Sequence, residues 1–377
     1  MEISVFGQGK VGLVLSACLA TAGHRVVGVD VSTDLVERIN SRTLPSSEPG
    51  VEEMMRTLGP EQYCATVDGQ AAVAASRITF IIVPTPSNSF GGFSLKYILR
   101  ACETIGAAMR DKSEVHTVAV VSTMLPGSSV DLVIPMLEKT SGKRLNDGFD
   151  YCYNPAFIAL GDVMRGFQRP DFLLIGEACE RAGDTMLEVH TPVMTNGAPV
   201  ARMSPTEGEI CKLASNTHET MRVSFANMLL AVCSEIPGAN VDRITGALTH
   251  RMGKRFFRGA VPYGGPCWPR DNEALAVTME ALGVPTRMPR AVDTFNAEHG
   301  RYILRKVLEL TGPEEVVGVV GFAYMPGTDR QLPASRAFKK LAARADTWPV
   351  PPGPRGNIEF FVERLVRRSA PRLESAT

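Results

Sequence analysis

The sequence has no CxxC pair among its eight cysteines, no formal net charge and no apolar run of the ~18 residues that a membrane helix needs. Cys18, Cys64, Cys102, Cys152, Cys179, Cys211, Cys233 and Cys267 follow no repeating spacing, which argues against a zinc site or a redox dithiol. Forty basic residues balance forty acidic ones, so no global field draws the chain to nucleic acid or to an anionic membrane. The six histidines are dispersed and compose no triad. Internal repeats and low-complexity tracts are also lacking. Met1 to Phe6 are apolar but run straight into a glycine motif, so they read as a strand rather than an export signal. The expectation is a cytoplasmic protein with reduced thiols and no metal. What remains is ordinary globular composition, 44% hydrophobic and 21% charged over 377 residues, enough for two or three domains.

The N-terminal pattern is regular. Residues 2–6 (EISVF) form a buried strand, 10–22 (KVGLVLSACLATA) a helix packed on a sheet, and 24–30 (HRVVGVD) a second strand after Gly23. Further strands are expected at 77–83, 117–122 and 172–176, with helices around 34–40, 94–109 and 128–138. This alternation predicts an α/β fold with a doubly wound Rossmann sheet. After about residue 196 the pattern changes. Leu213, Met221, Phe225, Leu229 and Val232 recur at helical spacing in a stretch without Pro between Pro205 and Pro237, which predicts one long helix over 206–236. Helices at 241–248 and 272–282 flank a loop rich in Gly, Pro and aromatics (256–271). A third unit is expected from near 300, with a helix at 300–311 and a strand at 315–320. A breaker cluster, WPVPPGPRG (348–356), precedes a short amphipathic helix at 357–368 and a disordered tail.

Gly7-Gln8-Gly9-Lys10-Val11-Gly12 is GxGxxG between a strand and a helix. Gly7 makes the tight turn, Gly9 lets backbone approach a pyrophosphate, and Gly12 lets helix and strand pack closely. Asp30 ends the second strand, where its carboxylate can accept hydrogen bonds from ribose hydroxyls and would repel a 2′-phosphate. Val31 follows rather than Arg, so the residues favour NAD over NADP.

Later segments add a specific combination: Val83-Pro84-Thr85-Pro86, Ser122-Thr123-Met124-Leu125-Pro126-Gly127, Asn154-Pro155-Ala156-Phe157, Lys212 and Asn216 on the long helix, Gly264-Gly265-Pro266-Cys267-Trp268-Pro269-Arg270-Asp271, and Gly321 to Asp329. Their order over residues 1 to about 335 resembles the UDP-glucose/GDP-mannose dehydrogenase family. The resemblance implies an NAD-binding domain (1–196), a central helical dimerisation domain (197–298) and a shortened C-terminal Rossmann-like domain (299–377). It implies oxidation of a primary alcohol of a sugar, nucleoside or nucleotide-sugar, with NAD held at Gly7, Gly9, Lys10, Val11, Gly12, Asp30, Val83, Pro84, Thr85, Ser122 and Thr123. Cys267 becomes the nucleophile that captures an aldehyde and carries a thioester. Lys212 and Asn216, four apart on one helix face, become the oxyanion-stabilising pair. Asp271 orients that pair, and Thr123 holds the reacting hydroxyl or a water. Asn154, Phe157, Tyr263, Gly264 and Gly265 bind substrate, and Arg251 reaches it across a homodimer. Plainer roles exist for these residue types. Cysteines are commonly buried hydrophobes, Lys212 and Asn216 could be solvated, and Arg251 sits among Lys254, Arg255 and Arg258 on what could be a basic face. Asp271 could cap a helix starting near 272.

The chain departs from the family pattern in three places. The family's NPEF and following Arg-Glu become Ala156, Ala159 and Leu160, which removes the glutamate expected to activate water for thioester hydrolysis. Met325 replaces a lysine, and nothing after Thr328-Asp329 matches the family's Arg-Glu-Ser. After residue 345 too little chain remains for a full sheet. Oxidation that stops at an aldehyde is one expectation. A redox-neutral dehydratase or epimerase with recycled NAD is another, and a catalytically inactive NAD-binding dimer a third. A substrate smaller than a UDP-sugar is also implied.

Overall fold

Continuous apolar runs bounded by glycine turns build the first unit. The structure, a computed structural model, describes residues 1–44 and 48–310. Strand β1 (Glu2–Phe6) leads through the glycine turn into α1 (Lys10–Thr21), which Ala22 and Gly23 terminate before β2 (Arg25–Val29). Next come α2 (Thr33–Asn40), α3 (Val51–Thr57), β3 (Tyr63–Thr66), α4 (Gly69–Ala74), β4 (Ile78–Ile81), α5 (Lys96–Met109) and β5 (His116–Val120). A π-helical turn at Ser129–Val133 runs into α6 (Ile134–Ser141). Then follow β6 (Phe149–Tyr153), α7 (Val163–Gln168), β7 (Leu173–Glu177), α8 (Glu180–His190) and β8 (Val200–Met203).

The eight strands form one sheet in the order β3-β2-β1-β4-β5-β6-β7-β8. All neighbours run parallel except β6 and β7, where Tyr153 pairs antiparallel with Gly176. Alternating strand residues feed two cores, as a doubly wound sheet requires. Ile3, Val5, Ile78, Phe80 and Ile175 pack with α1, α3, α7 and α8. Val29, Ile81, Val118, Val120, Tyr151 and Tyr153 pack with α4, α5 and α6 on the other face.

Helix α9 (Pro205–Glu235) runs for 31 residues, followed by α10 (Val241–Met252), α11 (Trp268–Ala281) and α12 (Arg287–Leu310). The described residues divide into two compact units, Met1–His218 with Cys267–Arg290, and Glu219–Pro266 with the segment from Ala291. Two expectations change. The helix placed at 300–311 begins already at Arg287, because Arg287 to Gly300 carry one uninterrupted amphipathic pattern. Helix α11 begins at Trp268 with Cys267 as its N-cap, so Asp271 lies in its first turn and is not the cap. The strand at 315–320, the Gly321–Asp329 motif with Met325, the breaker cluster and the helix at 357–368 lie outside the described residues. Among the described residues no helix is long and apolar enough to cross a membrane.

Candidate active site

The three glycines of the turn meet different demands. Gly7 has φ of +95°, and a Cβ there would lie 2.6 Å from the Ile82 carbonyl oxygen. A Cβ on Gly12 would fall 1.9 Å from the carbonyl oxygen of Gly7. Around Gly9 nothing lies within 4 Å of a Cβ, and Gly9 caps α1 without bringing a side chain to its first amides. Two glycines thus serve the fold, and the third leaves open space at a helix N-terminus, where a pyrophosphate is stabilised. Asp30 follows β2. Its Oδ2 accepts from the Gln8 amide at 2.8 Å and its Oδ1 from the Ser32 amide at 3.0 Å. Each carboxylate oxygen retains a lone pair for a ribose diol, and Val31 is 99% exposed beside it. The residues present therefore fit a dinucleotide without a 2′-phosphate.

The carboxyl ends of β4 and β5 are stitched together. Ser122 Oγ donates to the Val83 carbonyl at 2.6 Å, and Thr85 Oγ1 donates to the Thr123 carbonyl at 2.9 Å. Glu209 on α9 anchors the next turn. It accepts from the amides of Gly127 and Ser129 at 2.7 and 2.8 Å and from Ser129 Oγ at 2.6 Å. Burial raises the Glu209 carboxyl above its ordinary range against those donors.

Lys212 and Asn216 lie on the same face of α9 and are both buried. Lys212 Nζ donates to the Ala156 carbonyl at 2.9 Å and sits 4.7 Å from the centre of the Phe157 ring, which packs on Phe172. Desolvation lowers its pKa, and the neighbouring Asp271 and Cys267 oppose that fall. Asn216 Nδ2 donates to Asp271 Oδ2 at 2.6 Å. Asp271 is fully buried, and Arg270 donates to its Oδ1 through Nε at 3.1 Å. Arg270 also donates to the Thr85 carbonyl at 3.1 Å and covers the Phe93 ring. Cys267 stands exposed at the N-terminus of α11. An exposed thiol, a buried lysine and a buried asparagine are the reverse of the plainer roles those residue types commonly take.

The segment after β6 is apolar. Ala156, Ile158 and Leu160 pack on the sheet's core. The buried carboxylate of Glu48 pins the segment by accepting from the Gly161 amide at 2.9 Å. Asn154 is turned inward. Its amide donates to the Leu174 carbonyl at 2.8 Å and accepts from His190 at 2.9 Å, so both ends are used in holding the segment.

In the second unit Arg222 fixes the turn after α10. It donates to the carbonyls of Met252, Gly253 and Arg255 at 2.7–2.8 Å. Arg251 is exposed next to this turn, whereas Arg255 pairs with Glu219 and Arg258 with Asp242. Tyr263 is buried, its hydroxyl donating to Asp293 and its backbone held by Asn296 at 2.9 Å. Gly265 has φ of +89°. The contacts of Gln8 with Tyr63, Glu48 with Gly161, Glu209 with Gly127 and Arg270 with Thr85 join residues 55 to 185 positions apart and could not be read from the sequence. Glu209 alone left a signal, an acid three residues before Lys212 on the buried face. Among the described residues no three His, Cys, Asp or Glu side chains converge on a metal position.

A parallel doubly wound sheet with a glycine turn after β1 and an acid after β2 defines a Rossmann dinucleotide-binding protein. Comparison with known proteins gives the family. Residues 1–194 match the NAD binding domain of the UDP-glucose/GDP-mannose dehydrogenase family, and residues 206–298 match its central domain. A UDP-glucose 6-dehydrogenase of Haloferax volcanii is 33% identical over 92% of this chain and 81% of its own length. A GDP-mannose 6-dehydrogenase of Pseudomonas aeruginosa is 34% identical over 87% and 75%. The structure of a UDP-glucose dehydrogenase from Pyrobaculum islandicum superposes with a TM-score of 0.81 at 33% identity, covering 92% of this chain and 80% of that one. The chain belongs to the UDP-glucose/GDP-mannose dehydrogenase family and is an NAD-dependent oxidoreductase.

Proposed function

We propose that the chain oxidises the primary alcohol of a nucleotide-linked sugar and stops at the aldehyde. The substrate class is that named for the relatives, UDP-glucose and GDP-mannose. Gly7, Gly9, Lys10, Val11 and Gly12 would hold the pyrophosphate side of NAD, and Asp30 its adenosine ribose. Val83, Pro84, Thr85, Ser122 and Thr123, at the carboxyl edge of the sheet, would hold its nicotinamide end. When bound, NAD supplies the acceptor for the hydride of the carbinol carbon. Thr123 holds the reacting hydroxyl, whose proton passes to solvent. The Cys267 thiolate, favoured at a helix N-terminus, adds to the aldehyde carbon. The carbonyl π pair moves to oxygen, where the Lys212 ammonium and the Asn216 amide stabilise it. Asp271 and Arg270 fix Asn216, and Phe157 and the Ala156 carbonyl fix Lys212. Asn154 positions that segment from behind. Tyr263, Gly264 and Gly265 shape the sugar-binding loop.

The observation that carries the stop at aldehyde is position 156. Water needs a carboxylate base to cleave a thioester, and here an alanine presents only its carbonyl, already taken by Lys212. A thioester formed at Cys267 would then stay on the enzyme, so product leaves only where the thiohemiacetal collapses to aldehyde and thiolate. The same observation favours a second reading, a redox-neutral turnover that ends with NAD as it began. A panel of UDP- and GDP-sugars and nucleosides, with products read by mass and NADH by absorbance, separates the two. One NADH per aldehyde supports the first, no net NADH supports the second, and acid with two NADH overturns both.

We further propose a homodimer. Phe225, Met228 and Val232 on α9, with Ile236 just beyond its end, form a stripe with exposures of 39–54%. An apolar helical stripe of that length is suited to a second copy of itself, with Arg251 offered to the partner's substrate. Sedimentation of Val232→Asp as a monomer, with wild type as a dimer, supports this. A monomeric wild type overturns it.

A further inference from the structure

Gln8, between the first two glycines of the motif, is 1% exposed although its backbone forms the glycine turn. Its side chain and backbone have partners on three elements and on the residue that follows a fourth. Nε2 donates to the Val5 carbonyl of β1 at 2.8 Å, which fixes the amide so that Oε1 faces the other way. Oε1 accepts from Tyr63 Oη of β3 at 2.6 Å and from Ser16 Oγ of α1 at 3.2 Å. The Gln8 amide donates to Asp30 beyond β2 at 2.8 Å. Tyr63 and Ser16 are fully buried, and burial holds the phenol in its protonated, donating form. The space for this side chain is cut by Gly28 in β2. A Cβ there would lie 2.6 Å from Gln8 Cδ, 2.8 Å from Oε1 and 2.9 Å from Nε2.

A glycine-rich turn is flexible in isolation, and fixing it before ligand arrives lowers the entropic cost of binding. We infer that Gln8, Tyr63, Ser16 and the Gly28 notch form a buried clamp that pre-sets the Gly7–Gly9 turn and the Asp30 carboxylate for NAD, making Gln8 and Tyr63 positioning residues for the cofactor. The clamp rests on the reading that this turn is the NAD site, and the two are separable. The turn is tied through Gln8 to both the pyrophosphate backbone and the ribose acid, so loosening it weakens NAD and leaves the substrate's own contacts alone. Gly28→Ala keeps every hydrogen-bonding group yet presses on the Gln8 amide, so it also loosens the clamp.

The test is NADH titration by fluorescence on the full chain, with thermal melting in parallel. Tyr63→Phe is expected to raise the NADH Kd about fivefold, and Gln8→Met and Gly28→Ala about tenfold, the loss expected for one or two buried hydrogen bonds. Met55→Ala, a core deletion in the same cluster, lowers Tm but leaves Kd within about twofold. Gly9→Val tests the site itself. If Gly9→Val leaves Kd unchanged, the location of NAD is wrong. If Gly9→Val abolishes binding while Tyr63→Phe and Gln8→Met lower only Tm, the site stands and the clamp is refuted.

Discussion

Replacing Asp271 with asparagine removes one charge and almost no volume, so its effects isolate electrostatics. Asp271 is fully buried, with Asn216 at 2.6 Å on one oxygen and Arg270 at 3.1 Å on the other. Breaking a buried ion pair by neutralising one partner costs about 3–5 kcal/mol. Arg270 is 25% exposed, so water recovers part of that, and about 2–3 kcal/mol is the expected loss. At about 2–4 °C per kcal/mol this lowers Tm by about 4–12 °C. The substituted side chain would also turn its own amide toward that of Asn216, the proposed oxyanion donor, and loss of such a donor costs about 100-fold in kcat. Asp271 further opposes the desolvation that lowers the pKa of Lys212. Without that negative charge the ammonium deprotonates at lower pH, so the basic limb of kcat moves toward acid. Melting and NADH-coupled rates across pH measure all three. A variant with unchanged Tm and an unmoved basic limb would refute the role given to Asp271.

Other perturbations follow from the same contacts. Gly9→Ala should keep Tm, since a Cβ there meets nothing within 4 Å, yet weaken NADH binding. Gly12→Ala should unfold the first unit, because its Cβ would lie 1.9 Å from the Gly7 carbonyl oxygen; equal stability of the two in urea melts would contradict this. Glu209→Gln should cost about 1–3 kcal/mol in urea, because an amide cannot accept from both backbone N–H groups and Ser129 Oγ. His116 and His190 are buried with pKa values pushed down to about 3 and about 4. Unfolded histidines bind protons below pH ~6.5 while these do not, so stability is present above that pH and lost as pH falls toward the folded values. Linkage gives about 2–3 kcal/mol lost between about pH 7 and 5.5, and a flat urea midpoint over that range would be inconsistent with two buried neutral histidines.

Elements with uninterrupted apolar runs could be read from sequence. The β1–α1–β2 unit and α9 fall within a residue or two of expectation, because each buries a continuous run or one helical face. Strands β3, β6 and β8 could not be read that way. Strand β6 (FDYCY) carries Asp150, which is tolerated in the sheet because Arg181 grips it at 2.7 Å from α8. Strand β8 (VARM) is an edge with alternate residues exposed. In the site, Cys267, Lys212, Asn216 and Asp271 stood out through the match to the family's motifs. Their supports did not, since Arg270 to Thr85, Lys212 to Ala156 and Tyr63 to Gln8 join residues 55–185 positions apart. Asn154 shows the converse. Its motif suggested substrate contact, but its amide is spent on Leu174 and His190.

In the proposed function position 156 separates an aldehyde-forming from an acid-forming dehydrogenase, and Ala156→Glu puts a carboxylate on the segment whose backbone carbonyl holds Lys212. The most direct measurement is NADH released per molecule of nucleotide-sugar consumed, for wild type and Ala156→Glu side by side. The account predicts one NADH and an aldehyde for wild type, rising toward two NADH and an acid for the variant. Two NADH and an acid from wild type would contradict it.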